Sequence, residues 1–179
     1  MGIRPRRSDG AHLGYAGKGK LKLTVLVVGR AGMLFREVIR EYERRASRYW
    51  KLQVIEIPSG TGAKGQSRPD RVIQVEEAKL LKKIPDGTEV VALTRLGKAM
   101  GSVEFARYLE RKALNSTSEI AFLIGGAFGL GPGVMERADQ TFSLSSLTFH
   151  HQLARLLLTE QLYRAGTILR NEPYHKGGS

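Results

Sequence analysis

Glu119-Ile120-Ala121-Phe122-Leu123-Ile124 runs without a break into Gly125-Gly126-Ala127-Phe128-Gly129-Leu130-Gly131-Pro132-Gly133. The first six residues read as a strand with an apolar centre, buried on both faces. The next nine hold five glycines, so they read as a turn whose backbone can come close to a ligand. A strand buried on both faces belongs to a sheet covered by helices, and the rest of the chain repeats that unit. Residues 21–28 (LKLTVLVV) predict a buried strand stopped by Gly29, and residues 50–57 (WKLQVIEI) alternate and stop at Pro58. Residues 89–93 (EVVAL) and 141–145 predict two more strands. Helical periodicity covers residues 33–49, 69–83, 102–114 and 150–169, with a short helix over 134–138. Five strands interleaved with helices predict an α/β sandwich on a mainly parallel sheet. Ligands in such sheets sit beyond the carboxyl ends of the strands. Three of those ends carry unusual segments: residues 93–98, the glycine turn, and residues 145–149.

Composition narrows the function classes. The chain has 179 residues, no cysteine, and 29 Lys and Arg against 17 Asp and Glu, a net charge of +12. One domain is expected at this length. A basic chain of this kind suits a polyanion, with nucleic acid first. The missing cysteines exclude disulfides, thiolate metal sites and a cysteine nucleophile. No stretch is long and apolar enough for a membrane span or signal peptide, which predicts a soluble protein of the cytoplasm. Residues 1–20 hold five basic residues and one acid and read as a disordered basic arm; as an Arg-rich transit peptide they would imply an organelle instead. Residues 21–83 carry 14 basic and 7 acidic residues, whereas residues 84–179 carry 10 and 9. The basic half therefore holds the expected RNA contacts: Arg36, Arg40, Arg44 and Arg48 recur every four residues along the first helix. A solvated helix face is the plainer reading of that stripe. Residues 177–179 read as a tail.

Several familiar motifs are absent. The glycine turn lacks the G-x-G-x-x-G pattern of dinucleotide sites, and Gly14 to Lys20 spells a phosphate loop in which Leu21 replaces the magnesium-binding hydroxyl. No two of His12, His150, His151 and His175 stand four apart beside a carboxylate, so no metal is expected. Glu160 and Arg164 stand one helical turn apart, as a salt bridge would.

Five ordered segments together are specific. Leu93 to Lys98, Ile124 to Gly129, Leu144 to Phe149 with His151, Glu160 to Ala165, and Pro173-Tyr174-His175-Lys176 resemble the RlmH family, the SPOUT-class ribosomal large-subunit pseudouridine methyltransferases. The resemblance spans about residues 21–176 and implies one SPOUT domain with a C-terminal trefoil knot, a homodimer, and S-adenosyl-L-methionine as methyl donor. The implied reaction is methylation at N3 of a pseudouridine in large-subunit ribosomal RNA on the ribosome. Carried over by residue, the donor site would use Leu93, Gly125, Leu144, Ser145, Ser146, Leu147, Thr148 and Phe149. His175, His151, Tyr174 and Arg164 would be catalytic, with Tyr174 and His175 reaching a site completed by a second subunit, and Arg155 would face the RNA. His175 is the first candidate for the base that takes the N3 proton and His151 the second. Three positions depart from the commoner family pattern: Thr94 and Phe128 where acids are usual, and His150 where proline is usual. Losing two acids raises an alternative, a ribosome-binding SPOUT protein with weakened or lost catalysis.

Overall fold

A computed structural model describes residues 20–61, 68–115, 117 and 119–175. The expected basic arm, apart from Lys20, and the tail lie outside them. Five strands, β1 (Lys22–Val28), β2 (Lys51–Ile57), β3 (Glu89–Ala99), β4 (Glu119–Ile124) and β5 (Gln140–Ser143), form one sheet in the order β2-β1-β4-β3-β5. Every neighbouring pair is parallel, so all five carboxyl ends lie along one edge. The intervening helices are α1 (Met33–Ala46), α2 (Pro69–Leu81), α3 (Ser102–Leu114), α4 (Pro132–Arg137) and α5 (His151–Leu169), with a single 3-10 turn at Pro173–His175.

Alternation along the two central strands builds two cores. Leu23, Val25 and Val27 of β1 and Ile120, Phe122 and Ile124 of β4 point toward α1, α3 and α5, where Ala46, Phe105, Leu109, Leu158 and Leu162 meet them. Leu26, Val28, Ala121 and Leu123 point the other way, toward Leu80 of α2 and Val134 of α4. Trp50 is fully buried just before β2 and donates its indole hydrogen to the Leu162 carbonyl oxygen at 2.7 Å. This fixes the middle of α5 near the amino end of β2.

Several expected boundaries shift. The first helix ends at Ala46, not at residue 49, because residues 47–50 make a turn that delivers Tyr49 and Trp50 to the core. Its expected apolar face is only partly buried: Ile39 is fully enclosed, whereas Val38 is 38% and Leu34 87% exposed. The third strand runs on to Ala99, with an interruption between Leu93 and Lys98, both of which pair with Phe142. Residues 94–97 are thus a loop looped out of a strand. The glycine at position 97 is needed there, since a Cβ would lie 2.7 Å from the Phe142 backbone. Ser102 opens α3 without capping it; its hydroxyl donates to Gln161 Oε1 at 2.7 Å instead.

Candidate active site

The segment leaving β5 builds the site. Strand β5 stands at one border of the sheet, yet His151 at the start of α5 sits over Gly29 at the end of β1, three strands away. Residues 144–150 must therefore cross the carboxyl ends of β3 and β4, about 14 Å at a strand spacing near 4.8 Å, well within the reach of seven residues. The start of this segment lies beside the β3 loop. Ser143 Oγ donates to the Ser145 carbonyl oxygen at 2.9 Å and lies 3.3 Å from that of Arg95, and Leu147 N donates to Ser145 Oγ at 3.1 Å. Leu144 packs on the core, while Ser146, Leu147 and Thr148 are exposed.

The glycine turn is a backbone cradle. A Cβ on Gly125 would fall 2.5 Å from the Gly129 carbonyl carbon, and Gly129 holds φ +82°, a conformation that favours glycine. Gly131 and Gly133 have a structural reason instead: Glu77 of α2 lies against them, accepting from Gly133 N at 2.6 Å and from Val134 N at 3.2 Å, and so caps α4. Phe128 is 44% exposed and does not plug the turn.

The β1 end completes this edge. The His151 ring occupies the space a Cβ on Gly29 would need, and Gly32 N donates to Gln152 Oε1 at 3.0 Å. Partial burial, then the neighbouring His150, holds the imidazole of His151 below its ordinary pKa, against opposing influences from the Arg30 backbone and Glu76. A neutral ring at pH 7 can accept a proton.

The remaining expected catalytic residues lie elsewhere on the chain. Tyr174 donates to Glu160 Oε1 at 3.1 Å, and Arg164 binds the same oxygen through Nε at 3.0 Å and Nη2 at 2.7 Å. The Arg164 guanidinium also lies 4.8 Å from the Tyr174 ring centre. Glu160 is nine residues beyond His151, roughly 13 Å along α5. Within one chain, then, His151 lies at the β1 end of the carboxyl edge, while Tyr174 and Arg164 form a second cluster and His175 ends the 3-10 turn that carries Tyr174.

Of the residues expected to face RNA, Arg36, Arg40 and Arg44 are exposed, although Arg44 also bonds Glu41 at 2.8 Å. Arg155 differs from these three in its surroundings. Its side chain is 8% exposed, and its guanidinium joins Glu43 and Glu56, each at 2.7 Å. The two carboxylates tie it between α5, α1 and β2.

Sequence reading missed Glu76 and Glu77. Both come from α2, which no motif marks, and only the spatial match to Gly126, Gly131 and Gly133 exposes them.

Known proteins resemble this chain over most of its length. The family described as "Predicted SPOUT methyltransferase" matches residues 21–175. A protein of Gemmatimonas aurantiaca named "Ribosomal RNA large subunit methyltransferase H" is 44% identical over 159 residues, covering 87% of this chain and all of the relative. The chain is a SPOUT methyltransferase of the RlmH family. A relative of the same name from Exiguobacterium sp. is 43% identical over the same shares, and one from Syntrophotalea carbinolica is 41% identical over 156 residues. A crystal structure described as a probable methyltransferase from Bordetella pertussis Tohama I aligns with a TM-score of 0.51 at 13% identity, over 81% of this chain and 96% of that one, which supports the fold alone.

Proposed function

We propose that this methyltransferase transfers a methyl group from S-adenosyl-L-methionine to N3 of a pseudouridine in large-subunit ribosomal RNA. The single observation that supports the reading is the passage of residues 144–150 from β5 to the end of β1, across the carboxyl ends of β3 and β4, the edge that also carries Leu93 and Gly125. The residues suit a nucleoside: glycines that leave no room for side chains, and serine and main-chain groups that match its donors and acceptors. When bound, the donor supplies an activated sulfonium methyl group. The protein supplies alignment, which is worth up to about 7 to 11 kcal/mol, and a base near the nucleophile, about 10² to 10⁴-fold. His151 stands at the cleft and is held neutral, so it takes precedence over His175 as the group that receives the N3 proton within one chain.

The second cluster enters through a homodimer. Tyr174, Arg164 and His175 of one protomer reach the cleft of the partner, because roughly 13 Å of helix separates them from their own. Supporting this, large apolar side chains stand uncovered around the carboxyl edge: Met33 and Leu34 at 87% exposure, Leu96 at 80% and Leu147 at 68%. The trefoil knot belongs to the same reading and is favoured by the long passage from β5 to the end of β1. Arg36, Arg40 and Arg44 meet the RNA backbone, and the relatives' bacterial sources fit a cytoplasmic enzyme acting on ribosomes. No helix of the described residues is long and apolar enough to cross a membrane, and no cluster there suits a metal.

The test is methylation of ribosomes lacking the modification, with isotopically labelled donor and mass mapping of the ribosomal RNA. Label on N3 of one pseudouridine of the large subunit is expected. Label on another base, or on transfer RNA alone, overturns the assignment, and an absence of transfer with intact ribosome binding favours a protein that has lost catalysis.

A further inference from the structure

Among the described carboxylates around the carboxyl edge, one keeps a buried oxygen without a partner. Glu77 caps α4, Glu56 holds Arg155 at 2.7 Å and accepts from Ala31 N at 3.2 Å, and Glu104 pairs with Lys98 at 2.9 Å. Glu76 differs. It is 2% exposed, and its Oε1 accepts from Ser59 Oγ at 3.0 Å and Gly60 N at 2.9 Å, while the buried Oε2 has no hydrogen-bond partner. A Cβ built on Gly126 would lie 2.7 Å from that oxygen. The free side of the carboxylate therefore faces the glycine turn, one residue from Gly125.

A buried carboxylate oxygen without a donor is costly, and such groups in native proteins have partners or a function. No described side chain supplies the donor. Oε2 lies against Gly126, in the turn expected to hold the ligand. Of the groups on a sulfonium nucleoside, the sulfonium has no hydrogen to donate and the ribose hydroxyls are neutral. The ammonium of the amino-acid end has three N–H donors and a positive charge, and charge-assisted bonds are roughly twice as strong as neutral ones. Thr94 and Phe128 bring no charge to their loops, whereas Glu76 lies against Gly126 and, where Glu77 bonds the Gly133 backbone, keeps a buried oxygen without a partner.

We propose that Glu76 Oε2 is the counter-charge for the cationic amino-acid end of the methyl donor, accepting a hydrogen bond from its ammonium group. This rests on the donor reading above. It explains why Gly126 has no side chain: any Cβ would displace the accepting oxygen. It also gives α2 a part in the site, although none of its residues belongs to the recognised motifs.

The experiment is calorimetric titration of the wild-type protein and Glu76→Gln with S-adenosylmethionine, S-adenosylhomocysteine, its N-acetyl derivative and 5′-methylthioadenosine. The amide keeps the shape and removes the charge. Wild-type protein should bind S-adenosylhomocysteine about 10-fold or more tightly than the N-acetyl derivative, which lacks the ammonium, and Glu76→Gln should erase that difference. Binding of 5′-methylthioadenosine, which has no amino-acid end, should be the same in both proteins. Equal wild-type affinity for the free and acetylated ligands overturns the proposal, and that comparison needs no variant to fold. Equal weakening of all four ligands by Glu76→Gln, with a lowered melting temperature, overturns it too and leaves Glu76 a support for the turn. If wild-type protein binds none of the four, the donor reading itself fails; if it binds them and only the ammonium dependence is missing, this inference alone fails.

Discussion

Tyr174 and Arg164 share one acceptor, Glu160 Oε1, which takes the phenol hydrogen at 3.1 Å and two guanidinium hydrogens at 3.0 and 2.7 Å. The C-terminal turn is therefore docked on α5 through a carboxylate. Burial, then Tyr42, pushes the Tyr174 phenol well above its ordinary pKa, so it stays a donor at neutral pH. Glu160→Gln keeps a carbonyl acceptor but removes the charge that holds Arg164. Tyr174→Phe keeps the ring on Tyr163, 4.6 Å between centres, and removes only the hydroxyl. The expected loss for Tyr174→Phe is about 0.5 to 1.5 kcal/mol, with a larger loss for Glu160→Gln, both read by chemical denaturation. In methylation assays both variants should lower kcat more than donor affinity. An unchanged kcat in both would separate the docked turn from the reaction.

How far the sequence revealed this depended on the range of the interaction. Strand β4 was legible to the residue because six consecutive apolar-centred positions and an abrupt glycine pair are local signals. Residues 94–97 were legible as a loop, but not as an excursion from a continuing strand, because the resumed pairing of Lys98 and Ala99 depends on β5, over forty residues later. Leu34 and Val38 fit the apolar face of α1 by spacing, and their exposure follows from what does or does not pack on that helix, which no local pattern records. The partners of Arg155 were hidden for the same reason: an arginine on a helix announces its charge, while Glu43 and Glu56, which meet that charge, lie 112 and 99 residues away.

Arg155 gives the second prediction. Its buried guanidinium satisfies two carboxylates from different elements, so Arg155→Ala leaves Glu43 and Glu56 partly enclosed without their cation. Breaking a buried pair in this way costs about 3 to 5 kcal/mol, and the 35% exposure of Glu56 places this case toward the lower end. Arg155→Lys restores charge but not the fork that spans both acids, and should recover only part of the loss. Thermal unfolding measures it. Weakened ribosome binding with unchanged stability would return Arg155 to the RNA surface.

The exposed stripe on α1 behaves in the opposite way. Arg36 and Arg40 have no described acidic partner and project into solvent, so reversing them should leave the melting temperature nearly unchanged. If each meets one phosphate, Arg36→Glu with Arg40→Glu should reduce the slope of log K against log salt for ribosomal RNA by roughly one per lost contact. A preserved slope would make the stripe a solvated helix face. Arg44 is a weaker probe because Glu41 already accepts from it at 2.8 and 2.9 Å.

His151 sets the pH dependence. Its pKa lies below the ordinary 6.5, with burial as the main cause and His150 the next. If the neutral ring accepts the N3 proton, the acid limb of kcat falls below the ordinary histidine value. The ring centres of His150 and His151 are 4.1 Å apart, so His150→Ala removes a charge that disfavours the protonated ring. That variant should move the acid limb upward, toward the ordinary histidine value, while His151→Gln should abolish the limb together with about 10² to 10⁴-fold of the rate. The stability effect has a matching sign. Because the folded pKa is depressed, the contribution of His151 is intact above pH 6.5 and is lost as pH falls through the folded value, where the unfolded chain binds the proton more readily. An acid limb that stays in place in both variants would move the proton acceptor to the partner protomer's C-terminal turn.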